Sequence, residues 1–481
     1  GTAAAAALTI VPSAVLGKTH GHIAPTDKLN IAGVGIGGMG NANLKNMETT
    51  ENIVALCDID WKYSKPVFDR HPQAKKYWDY RKMYDEMGKS IDAVLVATAD
   101  HTHAMITADA MTLGKHVYTQ KPLTHSVYES RLLTNLAKKY DVATQMGNQG
   151  SSLAEGVDLI CEWIWNGEIG EVTKVECATN RPIWPQGLNA PEKVPCTLNW
   201  DLFTGPAKLR PFNKTYHPWN WRGWWDYGTG ALGDMACHIL HPVFKGLNLG
   251  YPTRVQGSST LLLQDCAPNA QHVKLVFPAR DNMPKVAMPE VEVHWYDGGM
   301  MPDRPEGFPQ GKELMGEGGG LCIFHGTKDT LICGCYGVNP WLLSGRKPNV
   351  PQTLRRVKDA MKGGHEQDWI RACKESAGSR VQTKSNFLEA GPFNEMVVMG
   401  VLAVRLQRLN KELLWDGPNM RFTNIDPNET IKIIKKDTFE VIDGDPKFKT
   451  EWTDPINAQE FAAGLIKHNY REGWKLVDMP R

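Results

Sequence analysis

The feature that most constrains the fold is a glycine-rich turn between an apolar run and a helical pattern. Residues 29–34 form the apolar run, and Gly35, Gly37 and Gly40 follow it with the spacing GxGxxG. In this motif the first glycine permits a tight turn, the second lets the backbone approach a pyrophosphate, and the third lets the helix pack closely on the strand. The free N–H groups of the helix then face the phosphates. The predicted dinucleotide-binding turn comprises Gly35, Ile36, Gly37, Gly38, Met39 and Gly40.

Strands and helices alternate around this turn. Further apolar strands are predicted at 53–60, 91–100, 115–122 and 142–150, with helical patterns between them. Alternation at this spacing is typical of βαβ units and a parallel sheet. Residues 28–150 are therefore predicted to form a Rossmann domain.

An acidic residue at the end of the second predicted strand indicates which cofactor would bind. Asp58 lies 18 residues after Gly40, at the place where a carboxylate binds the ribose 2′-hydroxyl and would repel a 2′-phosphate. Turn, helix and acid together predict NAD rather than NADP. The alternative is a turn that binds no phosphate, with Asp58 an ordinary acid at a strand end.

Beyond residue 150 the strands follow one another without intervening helices. A helical stretch at 154–166 precedes them, and another helical pattern occupies 385–410. Consecutive strands favour a mostly antiparallel sheet, so the fold class is α/β, with a Rossmann domain followed by a second α/β domain at 151–481. The strands of the second domain are predicted near 171–180, 254–264, 272–277, 289–299 and 321–337.

The composition excludes several other classes of function. Lys plus Arg is 54 and Asp plus Glu is 53, which gives a net charge of +1 and no basic patch for nucleic acid or a membrane surface. The ten cysteines form no CxxC pair, so no zinc framework is visible. We expect no nucleic-acid partner and no metal.

The start of the chain has the composition of an export signal. Residues 3–17 are almost all small or apolar, like the end of such a signal, and this stretch is too short to span a membrane. We expect residues 1–27 to be a signal remnant or N-terminal arm, and the protein to be periplasmic or secreted by a bacterium. The alternative is a native alanine-rich helix.

Two segments carry candidate catalytic groups. Lys121 ends the fourth predicted strand, at the sheet edge where ligands bind in parallel sheets. Asp234 and His238 lie at i and i+4 of a predicted helix, so they share a face, and His241 lies close to it. A carboxylate beside an imidazole is a general-base arrangement in which the acid fixes the tautomer. The alternatives are a solvated lysine and a helix with a satisfied structural histidine.

Six tryptophans lie close together in the sequence just before this helix: Trp184, Trp200, Trp219, Trp221, Trp224 and Trp225. Aromatic rings stack on the apolar face of a sugar, and polar neighbours supply hydrogen bonds, so the cluster favours a carbohydrate substrate. The alternative is a set of core aromatics, since large rings dominate protein cores. The predicted substrate contacts are Trp184, Tyr216, His217, Trp219, Arg222 and His241.

On these motifs the chain resembles the Gfo/Idh/MocA oxidoreductases over residues 28–410. Segments such as GNQG at 147–150 and NWDLFTGPA at 199–207 are similar to exported bacterial members. The resemblance implies a C-terminal domain with a large, open, mainly antiparallel sheet that binds substrate and mediates homo-oligomerisation. It also implies roles for three residues: His238 takes a hydroxyl proton, Lys121 polarises that oxygen and Asp234 orients the pair.

The resemblance also implies further cofactor contacts. The segment VATADHTHA at 96–104 matches the family's loop near the nicotinamide ribose. One residue departs from the family pattern, because Gln120 stands where a glutamate usually precedes the lysine. Glutamine keeps the length and hydrogen bonds of glutamate but lacks its charge. The cofactor contacts implied beyond the glycine-rich turn are Asp58, Thr98, Asp100, His103, Gln120, Lys121 and Asn148.

The leading prediction is an NAD-dependent dehydrogenase of a secondary alcohol on a sugar or glycoside. Free NAD is scarce outside the cytoplasm, so we expect the cofactor to be tightly retained. The alternative is an NAD-dependent glycoside hydrolase or lyase that oxidises a sugar carbon transiently, eliminates the aglycone and undergoes no net redox change. A third interpretation, a sugar-binding protein with a degenerate site, is disfavoured because the candidate lysine, aspartate and histidine are all present.

Overall fold

The computed structural model describes residues 27–181 and 187–480. Trp184 and the predicted N-terminal arm up to residue 26 lie outside the described residues. The described residues form a parallel sheet, a larger mixed sheet and two small two-stranded sheets.

The N-terminal part contains the predicted Rossmann sheet. Its six strands are all parallel and run in the order β3-β2-β1-β4-β5-β6. Because β2 and β4 flank β1 on opposite sides, the strand order reverses at β1, and ligands bind beside such a reversal at the carboxyl ends of the strands. The strands are β1 (Asn30–Val34), β2 (Asn52–Cys57), β3 (Lys75–Tyr77), β4 (Ala93–Val96), β5 (His116–Gln120) and β6 (Thr144–Gly147).

Five helices connect these strands. The predicted strand at 91–100 ends earlier than expected, because Asp100 already begins a helix. The short edge strand β3 was missed, since only one of its three side chains is buried and it has no apolar run. The helices are α1 (Met39–Met47), α2 (Lys65–Arg70), α3 (Tyr80–Met87), α4 (Asp100–Thr112) and α5 (Val127–Tyr140).

Helix α5 begins at a capping box that follows the lysine-bearing loop. The Ser126 side chain accepts from the Glu129 N–H at 3.2 Å, and the Glu129 carboxylate accepts from the Ser126 N–H at 3.0 Å. This reciprocal pair satisfies N–H groups that the first helical turn cannot bond. It therefore anchors the chain a few residues after Lys121.

The second domain contains a nine-stranded sheet in the order β13-β12-β11-β7-β10-β9-β8-β14-β15. Every pair is antiparallel except β7 and β10, as predicted for a mostly antiparallel sheet. The strands are β7 (Val172–Thr179), β8 (Arg254–Ser259), β9 (Gln271–Phe277), β10 (Val291–Tyr296), β11 (Gly320–Gly326), β12 (Thr330–Gly334), β13 (Trp341–Leu342), β14 (Leu413–Asp416) and β15 (Arg421–Phe422).

Some helices of this domain pack on its sheet, and others contact the first domain. The helix predicted at 154–166 is α-helical only over α6, because a wider turn precedes it. The helices are α6 (Leu159–Trp165), α7 (Trp200–Thr204), α8 (Gly230–Ile239), α9 (His241–Gly246), α10 (Gly364–Lys374) and α11 (Phe387–Arg405).

Helices α10 and α11 join the two domains. Trp369 of α10 is fully buried against Tyr118 of β5, so α10 completes the Rossmann core although it lies far along the chain. Helix α11 is long and apolar enough to span a membrane, but 83% of its apolar window is buried inside the protein. That burial is typical of a core helix.

The C-terminal tail, which the sequence pattern left unassigned, forms small elements, and the segment after them contacts the Rossmann domain. The Tyr470 hydroxyl donates to Glu129 at 2.8 Å, and the Trp474 ring lies 4.1 Å from the Arg81 guanidinium. These elements are β16 (Thr430–Ile431), β17 (Ile434–Ile442), β18 (Asp445–Trp452), β19 (Ile456–Asn457) and α12 (Ala458–Ile466).

Candidate active site

One cleft of about 360 Å³ combines the predicted cofactor and catalytic residues. Its floor is the carboxyl edge of β1, β2, β4 and β5, and its roof comes from α8 and loops of the second domain. The glycine-rich turn lines one part of the cleft, and Lys121, Asp234 and His238 line another. Residues more than a hundred positions apart in the sequence therefore line the same cleft.

The glycine-rich turn has the backbone that a dinucleotide requires. Gly35 has a φ of 77°, and a Cβ added to Gly40 would lie 2.0 Å from the Gly35 carbonyl oxygen. Only glycine at position 40 lets α1 start so close to the strand. A Cβ on Gly37 would lie 2.2 Å from the Tyr63 ring, so the backbone at this point is tightly enclosed.

Asp58 lies beside this turn, and one of its carboxylate oxygens is hydrogen-bonded to the backbone of the turn. Its Oδ2 accepts from the Ile36 N–H at 2.7 Å, and its Oδ1 accepts from the Asp60 N–H at 2.9 Å. Burial raises the pKa of Asp58, while these N–H groups and the Ser64 hydroxyl lower it. The bare glycine backbone, the start of α1 and this carboxylate fit an NAD ribose and pyrophosphate.

Most of the predicted cofactor residues line the cleft, but four do not. The Ile36 side chain is in the core, and Gly40 packs on Gly35. His103 is fixed between two loops, with its ring nitrogens 2.9 Å from the Thr98 carbonyl and 2.8 Å from the Pro122 carbonyl. Asn148 contacts α8 instead. The residues that do line the cleft are Gly35, Gly37, Gly38, Met39, Asp58, Thr98, Asp100, Gln120 and Lys121.

Asp234 is held by cations from three different segments. The Lys121 ammonium donates to the Asp234 main-chain carbonyl and lies 3.2 Å from Oδ1. Arg222 lies 3.3 Å from Oδ1, and Arg181 lies 3.9 Å from Oδ2. Burial alone would raise the pKa of Asp234, but Lys121 and Arg222 outweigh it and lower that pKa to about 2. The acid is therefore ionised throughout the neutral range.

The second oxygen of Asp234 remains available. Asp234 Oδ2 is buried and accepts no hydrogen bond from the described residues. A buried carboxylate oxygen without a donor is costly, so it fits a ligand that supplies one. A substrate hydroxyl in the cleft would do so.

The predicted role of Asp234 in fixing the His238 tautomer is wrong. The two residues do share one face of α8, but the carboxylate bonds the cations rather than the imidazole. His238 Nδ1 instead lies 2.9 Å from Asn148 Oδ1. Burial and the Lys121 charge lower the pKa of His238 well below its usual value, against the opposing effect of Asp234. The ring is therefore neutral, as a proton acceptor must be.

Asp100 is another titratable acid that lines the cleft. It is buried at the start of α4 and accepts from the Thr229 hydroxyl at 2.8 Å. Burial raises the pKa of Asp100 to about 7, although Arg222, Thr229 and Lys121 lower it. This acid therefore changes charge near neutral pH.

Three of the predicted substrate residues line the cleft. Trp219 is 54% exposed, and the Arg222 guanidinium lies 3.8 Å from its ring and 4.2 Å from the Trp221 ring. His217 Nε2 lies 2.9 Å from an oxygen of Asp60. An exposed aromatic face beside a fixed guanidinium offers both stacking and hydrogen bonding.

Two other predicted substrate residues lie elsewhere. Tyr216 is buried in an aromatic core, edge-on to Trp224. His241 begins the separate helix α9 and lies 2.8 Å from Glu389. Helix α8 ends at Ile239, so the expected continuation of its face to position 241 does not exist.

The structure adds residues that the pattern did not indicate. Tyr336 lines the cleft with its ring edge-on to His238 at a centroid distance of 4.6 Å, and its φ is 62°. A bulky residue in this backbone region is unusual, and no sequence signal marks it. Arg181, Tyr63 and Trp474 also line the cleft. Within residues 27–181 and 187–480, no cluster of three metal-ligating side chains occurs.

Two family models match the chain. One, an oxidoreductase family with an NAD-binding Rossmann fold, matches residues 29–148, and the other, its C-terminal α/β domain, matches residues 171–266. Over these two regions the chain matches the Gfo/Idh/MocA oxidoreductase family. Its N-terminal domain is thus an NAD-binding Rossmann domain, as the glycine-rich turn and Asp58 predict.

Curated relatives of known name align over part of their length. Glycosyl hydrolase family 109 protein 1 of Akkermansia muciniphila is 31% identical over 119 residues, covering 21% of this chain and 23% of that protein. Inositol 2-dehydrogenase of Salmonella typhimurium is 30% identical over 94 residues, covering 19% and 27%. Levoglucosan dehydrogenase of Pseudarthrobacter phenanthrenivorans is 27% identical over 162 residues, covering 34% of each. The chain thus spans about a quarter to a third of these relatives.

Solved structures share the fold over most of the chain. The WlbA dehydrogenase of Bordetella pertussis, in complex with NADH and UDP-GlcNAcA, has a TM-score of 0.54 at 14% identity and covers 81% of this chain and 99% of that one. GenD2 from gentamicin A biosynthesis, in complex with NAD, has a TM-score of 0.52 at 15% identity and covers 81% and 97%. At such identities the similarity concerns the fold.

Proposed function

We propose that the protein is an NAD-dependent dehydrogenase acting on a secondary alcohol of a sugar or glycoside, with the cofactor retained between turnovers and reoxidised in place by reduction of a second sugar. One observation carries the proposal. A neutral histidine, an ammonium and an ionised carboxylate with an unused oxygen meet in the cleft that the dinucleotide-binding turn lines. These are the groups that removing a proton from an alcohol requires.

Each protein group has a distinct task. The backbone from Gly35 to Gly38 and the Asp58 carboxylate would hold NAD, which supplies the hydride acceptor when bound. His238 accepts the proton of the reacting hydroxyl. Lys121 donates a hydrogen bond to that oxygen and stabilises its developing negative charge. Asp234 keeps the Lys121 ammonium in position through its Oδ1.

A carbohydrate fits the remaining walls of the cleft. Trp219 offers an exposed ring, Arg222 offers donors fixed by two indole rings, and Asp234 Oδ2 offers an acceptor. A sugar presents an apolar face and several hydroxyls in one small molecule. The dehydrogenases among the relatives carry the names of an inositol and an anhydrosugar enzyme, which supports this substrate class.

Retention of the cofactor is supported by contacts between the domains next to Asp58. Asn199 N–H donates to the Ile59 carbonyl at 2.8 Å, and Trp61 N–H donates to the Thr197 carbonyl at 2.9 Å. The His217 contact with Asp60 lies in the same place. These bonds tie the second domain to the loop that follows β2, so we expect a dinucleotide held at Asp58 to leave slowly.

The second candidate is a redox-assisted glycoside hydrolase or lyase. It is favoured by one observation, the 31% identity to a glycosyl hydrolase family 109 protein over 119 residues. Both reactions begin with the same proton removal and hydride transfer, so the same residues serve either one. They then diverge: the dehydrogenase releases the keto-sugar, whereas the hydrolase or lyase eliminates the aglycone and then reduces the same sugar again.

The test begins by denaturing the purified protein and identifying any released dinucleotide by mass spectrometry. We expect about one NAD or NADH per chain. The protein is then incubated with a panel of aryl glycosides and free sugars, and keto-sugar, aglycone and NADH are measured together, with the variant His238→Gln as the control. Keto-sugar without aglycone supports the dehydrogenase, whereas aglycone without net NADH supports the hydrolase. A protein that neither holds NAD nor binds it on titration would contradict both.

Two further expectations stay predictions from the sequence. They are export from the cytoplasm and self-association through the open sheet. Gel filtration with light scattering measures the second directly.

A further inference from the structure

We infer that Asn148 is a positioning residue that selects the protonated nitrogen of His238. Its side-chain oxygen accepts a hydrogen bond from Nδ1–H and thereby leaves Nε2 as the proton acceptor. The sequence assigned this task to Asp234 and assigned Asn148 to the cofactor. The inference concerns the same site as the proposed function and rests on it only for the identity of His238 as the base.

The orientation of the Asn148 amide follows from its second partner. Asn148 Nδ2 lies 2.7 Å from the main-chain carbonyl of Cys237. A carbonyl oxygen can only accept a hydrogen bond, so the atom facing it must be the amide nitrogen. The other end of the side chain, facing His238 Nδ1 at 2.9 Å, is therefore the oxygen.

The tautomer then follows from the same reasoning. An amide oxygen only accepts, so Nδ1 must carry the proton that it donates. In a neutral imidazole the other nitrogen is then an acceptor. His238 Nε2 has no hydrogen-bond partner among the described residues, and His238 lines the cleft. The unprotonated nitrogen is thus the one left for a substrate.

Asn148 is itself rigidly placed. It is fully buried just after β6, and its N–H donates to the Met146 carbonyl at 2.7 Å. With no solvent at the amide, water cannot replace either of its side-chain hydrogen bonds. The first residue beyond a Rossmann strand is in this way linked to two consecutive residues of α8, Cys237 and His238.

A neutral amide bonded to His238 affects the pKa of the ring differently from a carboxylate. The charged groups that face His238 are Lys121 and Arg181, which lower its pKa, and Asp234, which raises it, and the Tyr336 ring packs against it. An aspartate bonded to Nδ1 would stabilise the imidazolium and raise the pKa of His238. Asn148 orients the ring without adding that charge, so His238 stays unprotonated at lower pH.

The experiment follows the imidazole nitrogens of His238 directly. The whole protein, as purified, is labelled with ¹⁵N-histidine, and long-range ¹H–¹⁵N spectra are recorded between pH 5 and 9. The His238 signals are the ones among 15 histidines that vanish in His238→Gln. We expect the Nδ1–H tautomer in the parent protein and a mixture of tautomers in Asn148→Ala.

Two further variants complete the test. Asn148→Asp should raise the titration midpoint of His238 by at least about one pH unit, because it places a negative charge on Nδ1. Asn148→Ala should lower kcat about 10–100-fold with little change in KM, the range found when a residue that orients a metal-bound histidine is removed. Asn386→Ala is the matched control, since Asn386 is also buried and also donates to a main-chain carbonyl, that of Thr383 at 2.9 Å.

The outcomes separate this inference from the proposed function. An Nε2–H tautomer in the parent protein, or an unchanged tautomer in Asn148→Ala, would overturn the inference whatever the substrate. The expected tautomers combined with no sugar turnover would leave the inference standing and remove the proposed function. Thermal unfolding of each variant shows whether it folds, and if Asn148→Ala does not fold, the Asn148→Asp titration decides.

Discussion

Replacing Asp100 with asparagine should make the stability of the protein less sensitive to pH. Asp100 is 3% exposed, and burial raises its pKa from 3.8 to about 7. The folded protein therefore binds a proton at pH values where the unfolded chain has already released it. A group with such a raised carboxyl pKa stabilises the fold at low pH, and that contribution is lost as the pH rises from 3.8 to about 7.

The size of the effect follows from the shift. A difference of about three pH units corresponds to about 4 kcal/mol between the extremes, and each pH unit within the window changes the free energy of unfolding by up to about 1.4 kcal/mol. Asparagine keeps an oxygen for the Thr229 hydroxyl but cannot ionise. Between pH 5 and pH 7 we expect the free energy of unfolding of Asp100→Asn, relative to that of the parent, to increase by about 2–3 kcal/mol.

The assay is urea unfolding of both proteins at pH 5, 6, 7 and 8, after their dinucleotide contents have been matched. Asp297→Asn is the control, because Asp297 is also fully buried, has a pKa raised by burial to about 7 and lies outside the cleft. Both variants should flatten the pH dependence, but only Asp100→Asn should change how NAD affinity varies with pH. Parallel stability curves for Asp100→Asn and the parent would refute the assignment of a raised pKa to this acid.

Three further outcomes are expected. His238→Gln should lower kcat about 10²–10⁴-fold on the true substrate, the range for loss of a general base, while the dinucleotide content measured by mass spectrometry stays the same. Asp58→Ala should weaken NAD binding and reduce the preference over NADP, and equal calorimetric affinities in variant and parent would contradict its placement at the ribose. Lys121→Met should raise the pKa of His238 because it removes a nearby positive charge, which histidine NMR measures as a higher titration midpoint.

The parts of the fold that the sequence predicts are those specified by neighbouring residues. The apolar strands, the glycine-rich turn and the spacing to Asp58 lie within one short stretch, and the six-stranded sheet confirms them. Helix α10 was missed because its place in the Rossmann core depends on contacts such as Trp369 with Tyr118, which lie far apart in the chain. A local sequence pattern does not indicate a contact with a residue that lies far away in the chain.

In the candidate site, too, the sequence predicts the residues within each motif but not their partners from distant segments. Lys121, Asp234 and His238 were correctly expected to meet, but their partners were not, because Arg222 and Asn148 come from separate segments. A helix was expected to continue past position 239, yet a new one begins at 241, and Pro242 was the signal available for that break. The backbone at Tyr336 had no such signal.

The tryptophans show why composition near a site does not identify the residues of the site. Among the described members of the cluster, Trp200, Trp224 and Trp225 are buried in cores, whereas Trp219 is exposed in the cleft. All have the same chemistry, and what separates them is burial, because Trp221 also packs against Arg222 and is nevertheless buried. Of the two tryptophans predicted as substrate contacts, Trp219 does line the cleft, and Trp184 lies outside the described residues.

The departure at Gln120 has a physical explanation in a residue far along the chain. Gln120 Nε2 donates to Asn43 Oδ1 at 2.8 Å, and Asn43 Nδ2 donates to a carboxylate oxygen of Glu366 at 2.7 Å. A glutamate at position 120 would place an acceptor against the Asn43 oxygen. Turning the Asn43 amide would relieve that contact only by presenting its oxygen to Glu366. The Asn43 amide carries its donor at one end only. Because that end faces Glu366 of α10, the residue before Lys121 must be an uncharged hydrogen-bond donor such as Gln120.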